Sequence, residues 1–232
     1  MRTIGLIGGM SWESTVEYYR LINEEIKRRK GGLHSGKCLL YSVDFGEIEP
    51  FMRTGEWEKI SSILIDSAKK LEAGGAEFIL LCTNTMHKLF PEIQSEVQIE
   101  MIHIVDAVTE RVLKAKIKKV GLLGTTQTME EDFYRSRIES KGIQVVIPDV
   151  EDRAIVNEII FSELCVGIIA EKSRREYQRI IKKMIESGAE GIILGCTEIP
   201  LLIKEEDVQV QIFDTTYIHA VKAVEKALDG GS

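Results

Sequence analysis

Two short segments of the sequence combine an apolar run with side chains that can hold or move a proton. LLCTNTMHK (residues 80–88) sets Cys82 beside Thr83 where apolar residues give way to polar ones, and LGCTEIP (residues 194–200) carries Cys196 at a similar position. A thiol has a reference pKa of about 8.5, and helix dipoles or nearby donors can lower that pKa toward neutral pH. These segments therefore indicate proton-transfer chemistry.

Both segments belong to an internal repeat. TIGLIGG (residues 3–9) is similar to KVGLLGT (residues 119–125), at an offset of 116, and GGAEFILLCT (residues 74–83) is similar to SGAEGIILGC (residues 187–196), at an offset of 113. Two matches in the same order and at nearly the same offset favour duplication over a chance similarity of Gly-rich turns.

The repeat identifies which residues correspond between the two halves. It pairs Thr83, not Cys82, with Cys196, and it pairs Cys82 with Gly195, which carries no reactive group. Because side chains alternate between the faces of a strand, Cys82 is expected to point into the packing around the sheet, unless a bulge at the strand end turns it toward the site. The other pairs are Asn84 with Thr197, Thr85 with Glu198, and Met10 with Thr126.

One proton-active group from each half could remove a proton from one face of a substrate and deliver a proton to the other, as a racemase or epimerase requires. Asn84, Thr85, Thr197 and backbone N–H groups at helix starts could hold a substrate carboxylate. His87 follows the first segment, and the sequence leaves open whether it lies near the site or caps a helix.

The elements that would position these groups follow from hydrophobic patterning. Apolar runs of strand length alternate with helix-periodic stretches, which is typical of βαβ units around a parallel sheet, and the Val/Ile/Leu-rich runs suit strands buried on both faces. The predicted strands are Thr3–Ile7, Cys38–Val43, Phe78–Cys82, Met101–Ile104, Lys119–Leu123, Ile143–Ile147, Gly191–Gly195 and Val208–Phe213. Predicted helices include residues 14–30 and 128–140, each opening on a capping box that begins at Ser14 or Thr128.

This order of elements predicts an α/β protein of two pseudo-symmetric lobes, each with a roughly four-stranded parallel sheet flanked by helices. Residues 1–115 are expected to form the first lobe, completed by a C-terminal helix over residues 214–232, and residues 116–213 the second. Ligands bind outside the carboxyl ends of parallel strands, so the active site is expected in the cleft between the lobes.

Composition excludes several classes of function. The net charge of −7 on 232 residues argues against a nucleic-acid partner, and no stretch approaches the roughly 20 apolar residues that would span a membrane. The chain opens on a predicted strand, not on a signal peptide, and the four cysteines and four histidines show no metal-ligand spacing. We therefore expect a cytoplasmic protein with reduced thiols and no metal site.

Three segments carry a family resemblance. Residues 81–87 (LCTNTMH) and 194–200 (LGCTEIP) resemble the two signature segments of the aspartate/glutamate racemase superfamily, and residues 5–15 (GLIGGMSWEST) are a third match. Within the superfamily the chain looks most like the L-aspartate/glutamate-specific amino-acid racemases of the Thr/Cys type. The resemblance implies two α/β lobes with the last helix folded back onto the first lobe, a homodimer, and racemisation without a cofactor.

Most members of the superfamily use Cys for both proton-transfer groups, the first in a C-N-[ST] motif. Aligning that motif on Asn84 and Thr85 places Thr83 where the Cys is usual, whereas the second motif keeps Cys196. The resemblance therefore implies Thr83 and Cys196 as catalytic residues. It implies a substrate-binding set of Met10, Asn84, Thr85, Thr126, Thr197 and Glu198, the last orienting the substrate amine or tuning the thiol.

The threonine makes the expected reaction unequal in its two directions. An alcohol is a far weaker acid than a thiol, so Thr83 can donate a proton to a carbanion but is a poor resting base, whereas a Cys196 thiolate is a competent base. In the family the second-lobe Cys acts on the L-amino acid, so L-aspartate or L-glutamate is the expected substrate and the D-enantiomer a poor one. Two alternatives remain open: a cofactor-independent malonate-type decarboxylase and a non-catalytic amino-acid sensor.

Overall fold

Eight strands are present in the computed structural model, which describes residues 1–229. All eight predicted strands occur, with ends that differ by a few residues from the predicted ones. They are β1 (Ile4–Gly8), β2 (Cys38–Ser42), β3 (Phe78–Leu81), β4 (Met101–Ile102), β5 (Lys119–Gly124), β6 (Gln144–Val146), β7 (Gly191–Gly195) and β8 (Gln211–Asp214). The last strand begins three residues later than predicted, after a 3-10 turn over Glu205–Asp207.

The strands form two four-stranded sheets in which every pairing is parallel. The first sheet has the order β2-β1-β3-β4 and the second has the order β6-β5-β7-β8, so the two sheets share one topology. The inner strands β1, β3 and β7 are buried at every residue, whereas β2 and β6 at the sheet edges are partly exposed. The predicted α/β fold of two similar halves, each with a parallel sheet flanked by helices, is confirmed.

Helices connect the strands throughout residues 1–229. They are α1 (Trp12–Lys30), α2 (Phe45–Thr54), α3 (Trp57–Ala73), α4 (Phe90–Ser95), α5 (Ile104–Lys114), α6 (Thr126–Glu130), α7 (Asp132–Glu139), α8 (Val150–Ser162), α9 (Glu171–Glu186), α10 (Ile199–Leu202) and α11 (Thr215–Leu228). No helix within this described part of the chain is both long enough and apolar enough to cross a membrane.

Both predicted capping boxes were wrong. Helix α1 is capped at Ser11, and the Ser14 hydroxyl instead lies inside the helix and donates to the Ser11 carbonyl at 3.1 Å. The second helix begins after Thr125, whose hydroxyl accepts from the Thr128 N–H, and it breaks at Glu131 into α6 and α7. Glu131 has extended backbone (φ −81°, ψ 151°), which no continuous helix allows.

The chain divides into two compact units. Among the described residues, the first contains residues 1–104 and 219–229, and the second contains residues 105–218. The sequence-based division had placed residues 105–115 in the first lobe, but Asp106 at the start of α5 forms a two-bond ion pair with Arg137 of α7 (2.5 and 2.6 Å). The last division falls within α11, and residues 230–232 of the predicted C-terminal helix lie outside the described residues.

Each unit has its own apolar core. In the first, strands β1 and β3 pack with α1 and with the apolar face of α11, and the core includes Tyr18, Phe78 and Val224. In the second, strands β5 and β7 pack with α8 and α9, and the core includes Tyr177 and Ile192. The cores fix the sheets, and the sheets in turn fix the residues that follow the carboxyl ends of β3 and β7.

Candidate active site

The turn after β1 is built around Gly9. This residue has φ +95°, and a Cβ there would lie 2.1 Å from the Val43 carbonyl oxygen, so only glycine fits. The Gly9 N–H donates to the Thr15 hydroxyl oxygen at 2.8 Å, and that hydroxyl donates to the Ser11 carbonyl at 2.8 Å. The Gly9 N–H is therefore bonded within the protein, and the next residue, Met10, is buried.

The first predicted motif follows β3 and separates Cys82 from Thr83. Cys82 is fully buried in the core of the first unit, its N–H continues the sheet by donating to the Ile7 carbonyl, and burial raises its pKa. Thr83 is the first residue beyond this pairing and retains 7% of its exposure. Asn84 and Thr85 follow it and are also nearly buried, with Thr85 opening a 3-10 helix that ends at Leu89. The packed Cys82 agrees with the expectation from strand alternation.

The second predicted motif follows β7 and brings a thiol and a carboxylate together. The Cys196 thiol donates to Glu198 Oε2 at 2.8 Å, and the Thr197 hydroxyl donates to the same oxygen at 3.0 Å. All three side chains are buried, with Cys196 at 7% exposure. The carboxylate is therefore within direct reach of the thiol proton.

The electrostatics of the thiol differ from the sequence-based expectation. Burial raises the pKa of Cys196 well above its ordinary value, and the negative charge of Glu198 raises it further. Helix dipoles and nearby donors, which can lower the pKa of a thiol, do not outweigh these two effects here. The resting group is accordingly a thiol bonded to a carboxylate, and a base at this position requires Glu198 or another acceptor to take the proton.

The turn after β5 corresponds to the turn after β1. A Cβ on Gly124 would lie 2.8 Å from the Gly195 carbonyl oxygen, so the ends of β5 and β7 approach more closely than another side chain would permit. The half-buried Thr126 stands at the start of α6, and its N–H donates to Asn157 Oδ1 at 2.9 Å. The Thr126 amide is thus held by α8, which leaves its side chain as the group available to a ligand.

Within each unit the predicted residues gather at the carboxyl edge of the sheet. Thr15 and Asn157 also hold the turns there, and the sequence reasoning missed both. Thr15 carried a weak signal as a hydroxyl four residues after Ser11, the spacing of a side chain bonded to the preceding helical turn. Asn157 lies 31 residues from its partner, and no local pattern marks it.

The arrangement in the second unit can accept and return a proton. A buried thiol beside a buried carboxylate can pass its proton to that carboxylate and then act as a base, and the reverse transfer makes it an acid. The first unit offers a hydroxyl, an amide and a second hydroxyl at the equivalent strand end. Such groups suit proton donation and carboxylate binding better than proton abstraction.

A comparison with known protein families matches a part of the chain that contains both strand-end motifs. The family described as Asp/Glu/hydantoin racemase matches residues 7–223. The chain therefore belongs to the Asp/Glu/hydantoin racemase family.

Individual relatives span nearly the whole chain. The structure of a Yersinia pestis protein provisionally described as an Asp/Glu racemase is 51% identical, with a TM-score of 0.91 over 98% of this chain and 100% of that one. An aspartate racemase homologue from Pyrococcus horikoshii is 44% identical, with a TM-score of 0.83 over 98% and 99%. A broad-specificity amino-acid racemase from Bacillus subtilis is 25% identical over 221 residues, 92% of each chain.

Proposed function

We propose that this protein is a cofactor-independent amino-acid racemase that interconverts L- and D-aspartate, L- and D-glutamate, or both. The family, and relatives described as racemases, support the reaction class. The observation that carries the proposal is the contact of the Cys196 thiol with the Glu198 carboxylate at the end of β7.

In the proposed reaction, Cys196 and Thr83 act on opposite faces of the substrate Cα. Glu198 takes the thiol proton, and the resulting thiolate removes the Cα proton of the L-amino acid, leaving the electron pair delocalised into the substrate carboxylate. The Thr83 hydroxyl then donates a proton to the opposite face, and water returns a proton to the Thr83 oxygen. Glu198 gives its proton to the hydroxide that remains, so the enzyme returns to a Cys196 thiol beside a carboxylate. The positive charge of the substrate ammonium stabilises the thiolate once it has formed.

The remaining candidate residues bind the substrate in this proposal. Short polar side chains follow three strands: Asn84 and Thr85 follow β3, Thr126 follows β5 and Thr197 follows β7. Met10 contributes its backbone. The Bacillus subtilis relative is described as having broad specificity, so other polar amino acids belong in any substrate panel.

Cytoplasmic location and a homodimer remain predictions that follow from the sequence and its resemblance. Sedimentation of the purified protein tests whether it is a homodimer.

Exchange of the Cα hydrogen in deuterated buffer tests the proposal. Because the two enantiomers are equally stable, kcat/KM for inversion is the same in both directions, and the unequal roles must appear in the exchange rates. We expect L-aspartate or L-glutamate to exchange its Cα hydrogen with retention faster than it inverts, and the D-enantiomers to exchange no faster than they invert. Thr83→Ala should keep exchange into the L-enantiomer but lose inversion, whereas Cys196→Ala should lose both by about 10³-fold or more. Equal exchange rates for the L- and D-enantiomers would contradict the unequal roles, and Cys196→Ala with native rates would contradict the mechanism.

Two rivals give different outcomes with the same protein. A malonate-type decarboxylase would release carbon dioxide from a panel of substituted malonates, with Cys196 as the proton donor. An amino-acid sensor would bind an amino acid without any Cα exchange, and Cys196→Ala would leave that affinity intact. The amide and hydroxyl of Asn84 and Thr85 in the first motif favour an amino-acid substrate over a malonate.

A further inference from the structure

We infer that His87 is a positioning residue that fixes the backbone of Thr83 and, through it, the direction of the Thr83 hydroxyl. His87 itself exchanges no proton with the substrate. The inference rests on the proposed role of Thr83 as the proton donor, and the experiment below separates the failure of one from the failure of the other.

The two hydrogen bonds of the His87 ring define its protonation state. The N–H of Ile104 donates to His87 Nε2 at 3.1 Å, so Nε2 carries a lone pair and no proton. Nδ1 lies 2.7 Å from the Thr83 carbonyl oxygen, which can only accept, so Nδ1 carries the proton. His87 is therefore a neutral imidazole that joins the start of α5 to the carbonyl of Thr83.

Both backbone polar groups of Thr83 are consequently fixed. Its N–H donates to the Leu81 carbonyl at 2.9 Å, and its carbonyl accepts from His87. Threonine is branched at Cβ, which leaves few χ1 rotamers for a given backbone conformation. Fixing the backbone on both sides thus narrows the directions in which the Thr83 hydroxyl can point.

The imidazole of His87 is in turn held by other rings. It is 2% exposed and stacks on Phe90, with ring centroids 5.7 Å apart and planes inclined by 13°. The rings of His103 and His219 lie 4.7 and 5.9 Å from it. His219 is itself bonded to the Tyr18 hydroxyl and to the Ile102 carbonyl, each at 2.9 Å. A ring enclosed in this way cannot turn to release Thr83 without repacking its neighbours.

The second motif has no equivalent of this ring. At the offset of 113 residues the counterpart of His87 is Pro200, which has no side-chain donor. The difference fits the chemistry, because an alcohol is a much weaker acid than a thiol and depends more on being aimed at the developing carbanion. The His87 ring therefore lies beside the proton donor whose orientation matters more, the Thr83 hydroxyl.

Two polar substitutions separate the two hydrogen bonds of His87. His87→Asn puts an amide N–H close to the position of Nδ1 and can restore the bond to Thr83, without reaching Ile104. His87→Gln reaches the position of Nε2, where its carbonyl oxygen can accept from Ile104, but it cannot also donate to Thr83. The readout is the ratio of inversion to Cα exchange with retention, measured on L-aspartate and L-glutamate in deuterated buffer.

We expect His87→Gln and His87→Ala to lower this ratio by about 10-fold or more, and His87→Asn to keep it within about 3-fold of the native ratio. Exchange with retention reports the Cys196 side and should change little in all three. If exchange and inversion fall in the same proportion, His87 has only a structural role and the inference is wrong. The inference is also wrong if His87→Asn lowers the ratio of inversion to exchange as much as His87→Gln does. Should His87→Ala not fold, the comparison of Asn with Gln decides.

Thr83→Ala distinguishes the two possible failures. If Thr83→Ala inverts substrate at the native rate, Thr83 is not the proton donor, and both the proposed role and this inference fall. If Thr83→Ala loses inversion while the ratio in His87→Gln equals the native ratio, the proposed role of Thr83 stands and the positioning by His87 is wrong.

Discussion

The two strand-end motifs occupy the same place in two sheets of the same topology, yet they carry different chemistry. After β7, a thiol and a carboxylate lie in direct contact, so a proton can pass between them. After β3, the corresponding positions hold Thr83 and Thr85, and the nearest thiol, Cys82, is packed into the core. The sheet supplies the position of a reactive group, whereas two or three residues beyond the strand decide whether that group can be a base.

Making the motifs alike should produce the largest change. Thr83→Cys replaces a poor base with a thiol, so exchange of the Cα hydrogen of D-aspartate or D-glutamate should rise by about 100-fold, within the range that a positioned proton-transfer group contributes. Exchange with the L-enantiomers should change far less, because Cys196 is untouched. Deuterium incorporation into each enantiomer, followed by mass spectrometry, measures both rates.

Cys82→Ala is the matched control for this substitution, because it changes the thiol one residue earlier. It should leave exchange with both enantiomers within about 3-fold, and it should lower stability by roughly 1–2 kcal/mol through the cavity it leaves. A large loss of exchange in Cys82→Ala would assign the chemistry to Cys82 and undo the pairing of Thr83 with Cys196.

The sequence predicts the fold more completely than it predicts the chemistry of the site. The strands were predictable because buried parallel strands leave continuous apolar runs, and the repeat was enough to pair Thr83 with Cys196. The start of α1 was misplaced because Ser11 and Ser14 both fit the pattern of a cap, and only the folded turn distinguishes them. The direction of the Cys196 pKa was missed because it depends on burial and on the orientation of Glu198, which no local pattern encodes.

The two units should also differ in acid stability, since all four histidines lie in the first unit. Burial lowers the pKa of His219 to about 4, from an ordinary value of 6.5. The neutral ring is therefore fully stabilising above about pH 6.5, and stability is lost as the pH falls toward 4 because the unfolded chain takes up the proton first. The loss at pH 5 should be about 2 kcal/mol.

Urea unfolding at pH 7 and pH 5 measures this loss, and both tryptophans, Trp12 and Trp57, lie in the first unit and report on it. At pH 5 the carboxylates of Glu25 and Asp152, whose pKa values are lowered by Arg28 and Arg179, are still ionised and contribute no pH dependence. His219→Gln should lower the free energy of unfolding at pH 7. It should also reduce the difference between the free energies of unfolding at pH 7 and pH 5. A difference that stays the same in the variant would show that the acid sensitivity has another source.

Removing the carboxylate from the second motif should have a smaller effect than Thr83→Cys or the change from pH 7 to pH 5. That effect is the most specific, because it concerns the proton of Cys196 alone. In Glu198→Gln the carboxylate that takes the thiol proton is missing, so the thiol must lose its proton to solvent before it can act as a base, and the rising limb of the pH dependence of kcat/KM should move to higher pH. The maximum rate should fall by about 10-fold, because a neutral amide can accept a hydrogen bond from the thiol but cannot take its proton. Glu198→Asp keeps the charge and should keep the limb near its native position. The substrate ionises identically in all three enzymes. A limb in Glu198→Gln that stays in place or moves to lower pH would therefore mean that Glu198 does not accept the Cys196 proton, and the difference between the two motifs would then rest on the thiol alone.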